Sequence, residues 1–281
     1  MTGTSVRHRA ARVLLGWAAG ALLLGGTVLL PASGGHAEDN SEALAKKLSN
    51  PIAALISVPF QFNYDSGYGS DDGWKGFVNI QPVIPISIGK DWNVISRTIL
   101  PVSVQDDIAG PSGHQSGLGD VTQSLFFSPK APTAGGLIWG VGPVMLLPTA
   151  TDTLLGADKW GLGPTGVVLK QSGPWTVGML ANHVWSVAGN ESRANVSSTF
   201  LQPFISYTTP TAWTYGLNTE STYNWNAEQW SVPFNLTIAK LVRIGKLPVS
   251  LQAGLRYWAD SPDSGPDGIG ARFAITFLFP K

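Results

Sequence analysis

Residues Gly270–Lys281 read GARFAITFLFPK. Phe273, Ile275, Phe277 and Phe279 fall on every second position, with Arg272, Ala274 and Thr276 between them. A strand turns successive side chains to opposite faces, so one face here is aromatic and apolar and the other is small or polar. In a soluble sheet such a terminal strand would be an open, adhesive edge. In a closed outer-membrane barrel the apolar face meets lipid, and the last strand pairs with the first to leave no edge. The stretch therefore predicts a transmembrane barrel, provided that the rest of the chain supplies the other strands.

Working back from it, the chain from Ile52 onward divides into about twelve segments of alternating character, an even number as bacterial barrels require. The predicted fold class is all-β, an antiparallel up-and-down transmembrane barrel. Strand one, 52–64, sends Ile56, Val58, Phe60, Phe62 and Tyr64 to lipid and Ser57, Gln61 and Asn63 inward. Strand two, 76–88, points Asn79, Gln81 and Ser87 inward, and strand three, 92–104, points Asn93 and Arg97 inward. Strand four, 117–128, carries Asp120, Thr122 and Ser124 on its inner face. Strands five to seven, between 136 and 187, are apolar or Gly-rich on both faces, and their sides stay unassigned. Alternation returns with strand eight, 196–207. Strand nine, 212–223, turns Asn218 and Glu220 inward; strand ten turns Asn235 inward; strand eleven turns Gln252, Arg256 and Trp258 inward. Seven internal prolines, at 59, 82, 85, 101, 143, 203 and 233, predict bulges or kinks, because Pro cannot donate to a ladder.

Composition agrees. Only 13% of the 281 residues are charged, against roughly 25% in ordinary soluble domains. Mean hydropathy is only +0.10, and after the N-terminus there is no unbroken apolar run of the length that a spanning helix needs. The chain has no Cys, which excludes a disulfide framework, a thiolate metal site and a lipid-anchored cysteine. A soluble β-sandwich is the competing fold, but its outer faces should be polar.

Residues 1–37 read as a cleaved secretory signal: Arg7, Arg9 and Arg12, then an apolar run from Val13 to Leu30, then Gly35-His36-Ala37 as the cleavage site. A membrane-anchor helix is the rival reading. Removing those three Arg leaves 15 basic and 18 acidic residues, a net charge of −3, which argues against nucleic acid as a partner. Residues 38–51 form an N-terminal periplasmic segment in which Ser41–Leu48 is a short helix, with Asn40 or Ser41 as its N-cap, lying either in the periplasm or inside the barrel as a plug. Residues 52–281 make the barrel. Short connections alternate with longer, acidic or Gly-rich ones, among them 65–74, 106–116, 150–160 and 260–267. That asymmetry places both mature termini in the periplasm of a Gram-negative cell, with the protein in the outer membrane. Trp74, Trp92, Trp160, Trp175, Trp185, Trp213 and Trp230 fall near strand ends, as interfacial girdles do.

Ser96–Gln105 (SRTILPVSVQ), Ser116–Pro129 (SGLGDVTQSLFFSP), Trp160–Gly189 and the FLFPK ending, taken in order, resemble the outer-membrane transporter-like family termed "MetA-pathway of phenol degradation", whose members are also labelled transporter or neuromedin U. The likeness runs over nearly all of residues 50–281, with Pro280 and Lys281 following the final aromatic as a departure from the usual barrel ending. It implies an outer-membrane barrel associated with uptake of aromatic or apolar solutes, and it brings no catalytic residues.

The inward charges are the main functional candidates. Arg97, Asp120, Glu220, Arg256 and Arg272 point into the predicted lumen, and Glu220, Arg256 and Arg272 should lie at similar heights below the outer loops. With the lumenal polar residues Gln61, Asn79, Gln81, Asn218, Asn235 and Gln252, they form either a selectivity constriction or a structural ion-pair network that plugs the interior. His183 is the candidate for a membrane-embedded hydrolase. Ser186, three residues on, faces the other side of the strand and cannot pair with it. The acidic loops Asp65–Asp72 and Asp260–Asp267 lack EF-hand spacing, and no metal or other cofactor is expected. The expected partners are outer-membrane lipid, a small-molecule solute, and the barrel-assembly machinery through Phe273–Phe279.

Overall fold

The computed structural model describes residues 35–279. A helix, α1 (Gly35–Leu48), precedes twelve wall strands. These are β1 (Ile56–Tyr68), β2 (Gly73–Ile80 and Val83–Ile88), β3 (Trp92–Asp106), β4 (His114–Leu118 and Val121–Pro129), β5 (Leu137–Leu147) and β6 (Lys159–Ser172). The second half comprises β7 (Trp175–Gly189), β8 (Ser197–Thr208), β9 (Trp213–Thr219 and Ser221–Asn224), β10 (Gln229–Ile244), β11 (Leu247–Asp260) and β12 (Gly268–Phe279). Every strand pairs antiparallel with its chain neighbours, and β12 pairs with β1, so the sheet is a closed barrel with no free edge. The leader expected over 1–37 lies outside the described residues except for 35–37, which form the first turn of α1. Pro280 and Lys281 also lie outside them. The helix begins at Gly35, so Asn40 and Ser41 are internal to it and not its cap.

The terminal aromatic stretch closes the barrel as expected. Val58 lies opposite Phe277, Phe60 opposite Ile275 and Phe62 opposite Phe273. The Phe60 and Phe277 rings meet edge to face at 6.0 Å, and Phe62 and Phe273 lie 6.2 Å apart. Phe62, Ile84, Ile86, Val102, Phe234 and Leu255 are exposed on the outside of the wall, while Ser57, Asn63, Asn93, Ser124 and Asn235 are buried on the inside. Aromatic residues crowd both rims. Trp92 packs on Trp139 and Trp175 on Tyr207 at the rim with the shorter turns, and Tyr64 on Trp74 and Tyr223 on Trp230 at the other.

Two features depart from a simple alternating wall. First, large apolar groups point inward on β6 and β7, whose faces alternation leaves unassigned, and also on β3 and β4. Ile95, Phe126, Val167, Leu169 and Leu180 form a buried cluster with Ile52, and Val141, Val168, Val177 and Met179 are exposed outside. Burying each such side chain is worth about 1.5–3 kcal/mol, so this side of the interior is a packed core and not a water channel. Second, β2, β4 and β9 are interrupted at Gln81-Pro82, Gly119-Asp120 and Glu220. Pro82 has no N–H to give the ladder, and the register also shifts at Pro233. Pro59, Pro85 and Pro203 keep their pairings. Beside the first two interruptions a polar patch faces outward: Thr98 Oγ1 donates to Gln123 Oε1 at 2.5 Å, and Gln123 Nε2 donates to Ser96 Oγ at 3.1 Å.

The connections 69–72, 107–113, 148–158, 190–196, 225–228 and 261–267 gather at one end of the barrel, and 89–91, 130–136, 173–174, 209–212 and 245–246 at the other. The first of these is much shorter than the expected 65–74 loop, because β1 runs on to Tyr68 and β2 starts at Gly73. Helix α1 sits at the second end. Leu44, Ala45 and Leu48 pack with Leu55, Ala212, Leu241 and Leu278, joining the helix to β10 and β12. Gln171 Nε2 donates to the Lys46 carbonyl at 2.8 Å, and Lys46 Nζ donates to Gly173 O at 2.5 Å. Ile52 then inserts into the core cluster on the opposite wall. Residues 44–55 thus cross this end of the interior from wall to wall.

Candidate functional site

Between that plug and the opposite end lies a layer of paired charges. Arg272, Arg256 and Asn63 project inward from β12, β11 and β1, and Glu220 stands at the break in β9, where its N–H bonds to Pro233 O and no longer continues a regular ladder. Arg272 Nη1 and Nη2 donate to the two Glu220 oxygens at 2.8 and 2.7 Å, and Nε donates to Asn63 Oδ1 at 2.8 Å. Arg256 Nη1 lies 3.8 Å from Glu220 Oε2, and its Nε 3.5 Å from Asp65 Oδ1. Asp65, only 1% exposed, also accepts from Trp258 Nε1 at 3.0 Å, and the Arg256 guanidinium lies over the Trp258 ring at 4.6 Å. The planar fork of Arg272 uses both edges, which fixes its carboxylate more firmly than a single-point ammonium would. The half-buried Glu220 carboxylate is therefore shared by two guanidiniums, and the buried Asp65 carboxylate holds Arg256 from its other side.

The barrel wall brings Arg97, Glu220, Arg256 and Arg272 to one region, but Asp120 stands apart. Its carboxylate accepts the backbone N–H groups of Ala150 at 3.1 Å and Ala157 at 2.6 Å, holding the 148–158 connection over that rim. Its role is that of a loop anchor. Arg97 reaches Gln81 Oε1 at 3.2 Å, and Gln81 Nε2 reaches Gln61 Oε1 at 2.9 Å. Asn235 Nδ2 donates to Asn218 Oδ1 at 2.9 Å. Asn79 lies opposite Gln61 in the β1–β2 register, and Gln252 lies opposite Ala274 on β12.

Asp65 belongs to β1 and not to an acidic loop, and the inward series Ser57, Gln61, Asn63 that continues to it is the signal in the sequence. The loop-borne Asp71 and Asp72 are exposed and away from this layer. Among the described residues no three metal-ligating side chains come together.

Below the layer and above the plug is a chamber of about 290 Å³. Gln61, Gln81, Arg97, Gln202, Ser206 and Asn218 give it polar walls, and Leu48, Leu55, Phe204 and Leu241 an apolar floor. The lumen is thus a sequence of helical plug, chamber and ion-pair layer.

His183 lies off this axis, on the outward face of β7 with Trp185 and Val187. Its Nδ1 is 2.7 Å from Thr199 Oγ1, which also accepts the Trp225 indole N–H at 2.8 Å. Ser186 Oγ instead accepts the Val196 N–H at 3.1 Å.

No family model matches the chain, and no curated protein matches it. Among solved structures, an outer membrane channel from Pseudomonas putida F1 is similar with a TM-score of 0.63 and 16% identity, over 80% of this chain and 96% of that one. The outer membrane phospholipase A of Escherichia coli gives a TM-score of 0.47 and 12% identity over 80% and 90%, and the NanC porin 0.46 and 10% over 80% and 100%. At these identities the first likeness shows the fold, that of outer-membrane barrels.

Proposed function

We propose that the chain is a gated outer-membrane channel for small, apolar or aromatic solutes, with its short-turn end, which α1 plugs, facing the periplasm. The observation that carries this reading is the chamber lying between two elements of different kinds, a helix held by apolar contacts and a layer held by ion pairs. The helix lies outside the sheet and the ion-pair layer consists of wall side chains, so both can rearrange while the wall stays hydrogen-bonded. The apolar floor around Phe204 and Leu241 suits a weakly polar solute. The fold likeness to the outer membrane channel of Pseudomonas putida F1 supports the same reading, and the terminal strand Phe273–Phe279 suits recognition by the barrel-assembly machinery. A plugged binding barrel is the second reading, favoured by the way residues 44–55 grip both walls.

Liposome swelling separates the two. Leu44 is buried against the wall, and Leu44→Asp would place a charge in that apolar contact, at a cost large enough to release the helix. A channel admits benzyl alcohol or a similar solute faster in this variant than in the wild type. Equal, background rates in both favour the plugged barrel.

A further inference from the structure

The chamber holds a cation, Arg97, with no carboxylate within ion-pair distance among the described residues; Glu220, engaged by Arg272, acts on it only from farther away. The chamber's charged lining residues are Arg97 and Lys47, both basic, and none of the lining residues is Asp or Glu. Arg256 and Arg272 each lie within 4.0 Å of a carboxylate, whereas the Arg97 side chain makes no ion pair and one hydrogen bond, to Gln81, among the described residues. A guanidinium carries five N–H donors in a planar fork, so most of this one's capacity is unspent. Ser206, on β8, lines the same chamber with its Oγ buried and without a partner among the described residues. A carboxylate that accepts from the Arg97 guanidinium gains charge-assisted hydrogen bonds that the surrounding protein does not supply.

We infer that the chamber is a binding site for a small organic monocarboxylate. The inference rests on the channel reading and names its solute class. The carboxylate takes the fork of Arg97, with Ser206 able to donate to the same ligand, and the apolar body lies toward Phe204, Leu55 and Leu241. A planar bidentate acceptor matches one guanidinium. A phosphate dianion would call for a second converging cation, and Lys47 is an exposed side chain at the plug. The volume, at the small end of the roughly 300–1,000 Å³ range of ligand pockets, fits a single-ring acid and not a lipid.

The test is equilibrium binding of labelled benzoate and of benzamide, its uncharged counterpart, to the detergent-folded full chain. The wild type should bind benzoate at least about tenfold more tightly than benzamide, as a charge-assisted pair does relative to a neutral one. Arg97→Gln should reduce that ratio to near one, and Arg97→Lys, which keeps the charge and loses the fork, should leave an intermediate ratio. Equal wild-type affinities, or a preference that survives Arg97→Gln, would overturn the inference. Should Arg97→Gln not fold, the wild-type ratio and the Arg97→Lys variant decide it alone. A barrel that conducts without preferring benzoate defeats this inference and leaves the channel; one that prefers benzoate but passes no solute does the reverse.

Discussion

Arg272 and Glu220 meet through two parallel hydrogen bonds in a nearly closed interior, and Asn63 takes the remaining edge of the guanidinium. Removing Arg272 takes both short hydrogen bonds from Glu220 and leaves it only the more distant Arg256, so Arg272→Ala should cost about 1–3 kcal/mol of stability. The double change Arg272→Met with Glu220→Gln should recover much of that loss, since neither charge is then left unpaired. Urea unfolding from lipid vesicles measures both; an Arg272→Ala barrel as stable as the wild type would show the pair to be energetically idle. At His183 the geometry disfavours hydrolysis, because the nearest hydroxyl belongs to Thr199 and is engaged by Trp225. Wild type and His183→Ala should release fatty acid from phospholipid vesicles at the same background rate, and a rate that drops on substitution would establish an enzyme. Inward parity alone identified Glu220, Arg256 and Arg272 in the sequence, since a charge between lipid-facing residues has only the lumen to go to. Asp120 has the same parity signal, but a strand break redirects its carboxylate to a loop. That outcome depends on backbone N–H groups 30 and 37 residues away and has no local signature.

The wall strands were legible wherever apolar and polar positions alternate, as in β1, β10 and β12. They were legible as strands, though not as faces, in β5 to β7, because there both faces are apolar: one meets lipid and the other the interior cluster around Phe126 and Leu180. Period-two reasoning has no contrast to work with in such segments. The glycines there have a reason of their own. A Cβ on Gly142 would collide with the Leu125 carbonyl oxygen of β4, and one on Gly163 with the His183 carbonyl oxygen of β7. Neighbouring strands approach these points too closely for any side chain. Gly142→Ala and Gly163→Ala should each cost about 1–3 kcal/mol, the usual penalty of overfilling, and should lower the folded fraction on heat-shift electrophoresis. Gly76→Ala, whose added Cβ meets nothing nearer than 3.7 Å, is the control and should fold normally.

As a whole molecule, the barrel owes its closure to β12 meeting β1 and its occlusion to two elements inside it. The even strand count and the loop asymmetry could be read from the chain. The plug could not be placed from sequence, since Ser41–Leu48 carries no pattern that distinguishes the barrel interior from the periplasm. Only the complementary surfaces on β10 and β12, together with Gln171 and Gly173 across the same rim, decide it. The separation of the two closures makes a specific prediction about current. Single-channel conductance in planar bilayers, compared among wild type, Leu44→Asp and an Arg256→Ala/Arg272→Ala double variant, tests the gated-channel account most directly. The account predicts small or brief openings in the wild type, larger and longer ones when α1 is released, and altered ion selectivity when the two arginines are removed. Silence in all three folded barrels would contradict it and leave a closed binding barrel in its place.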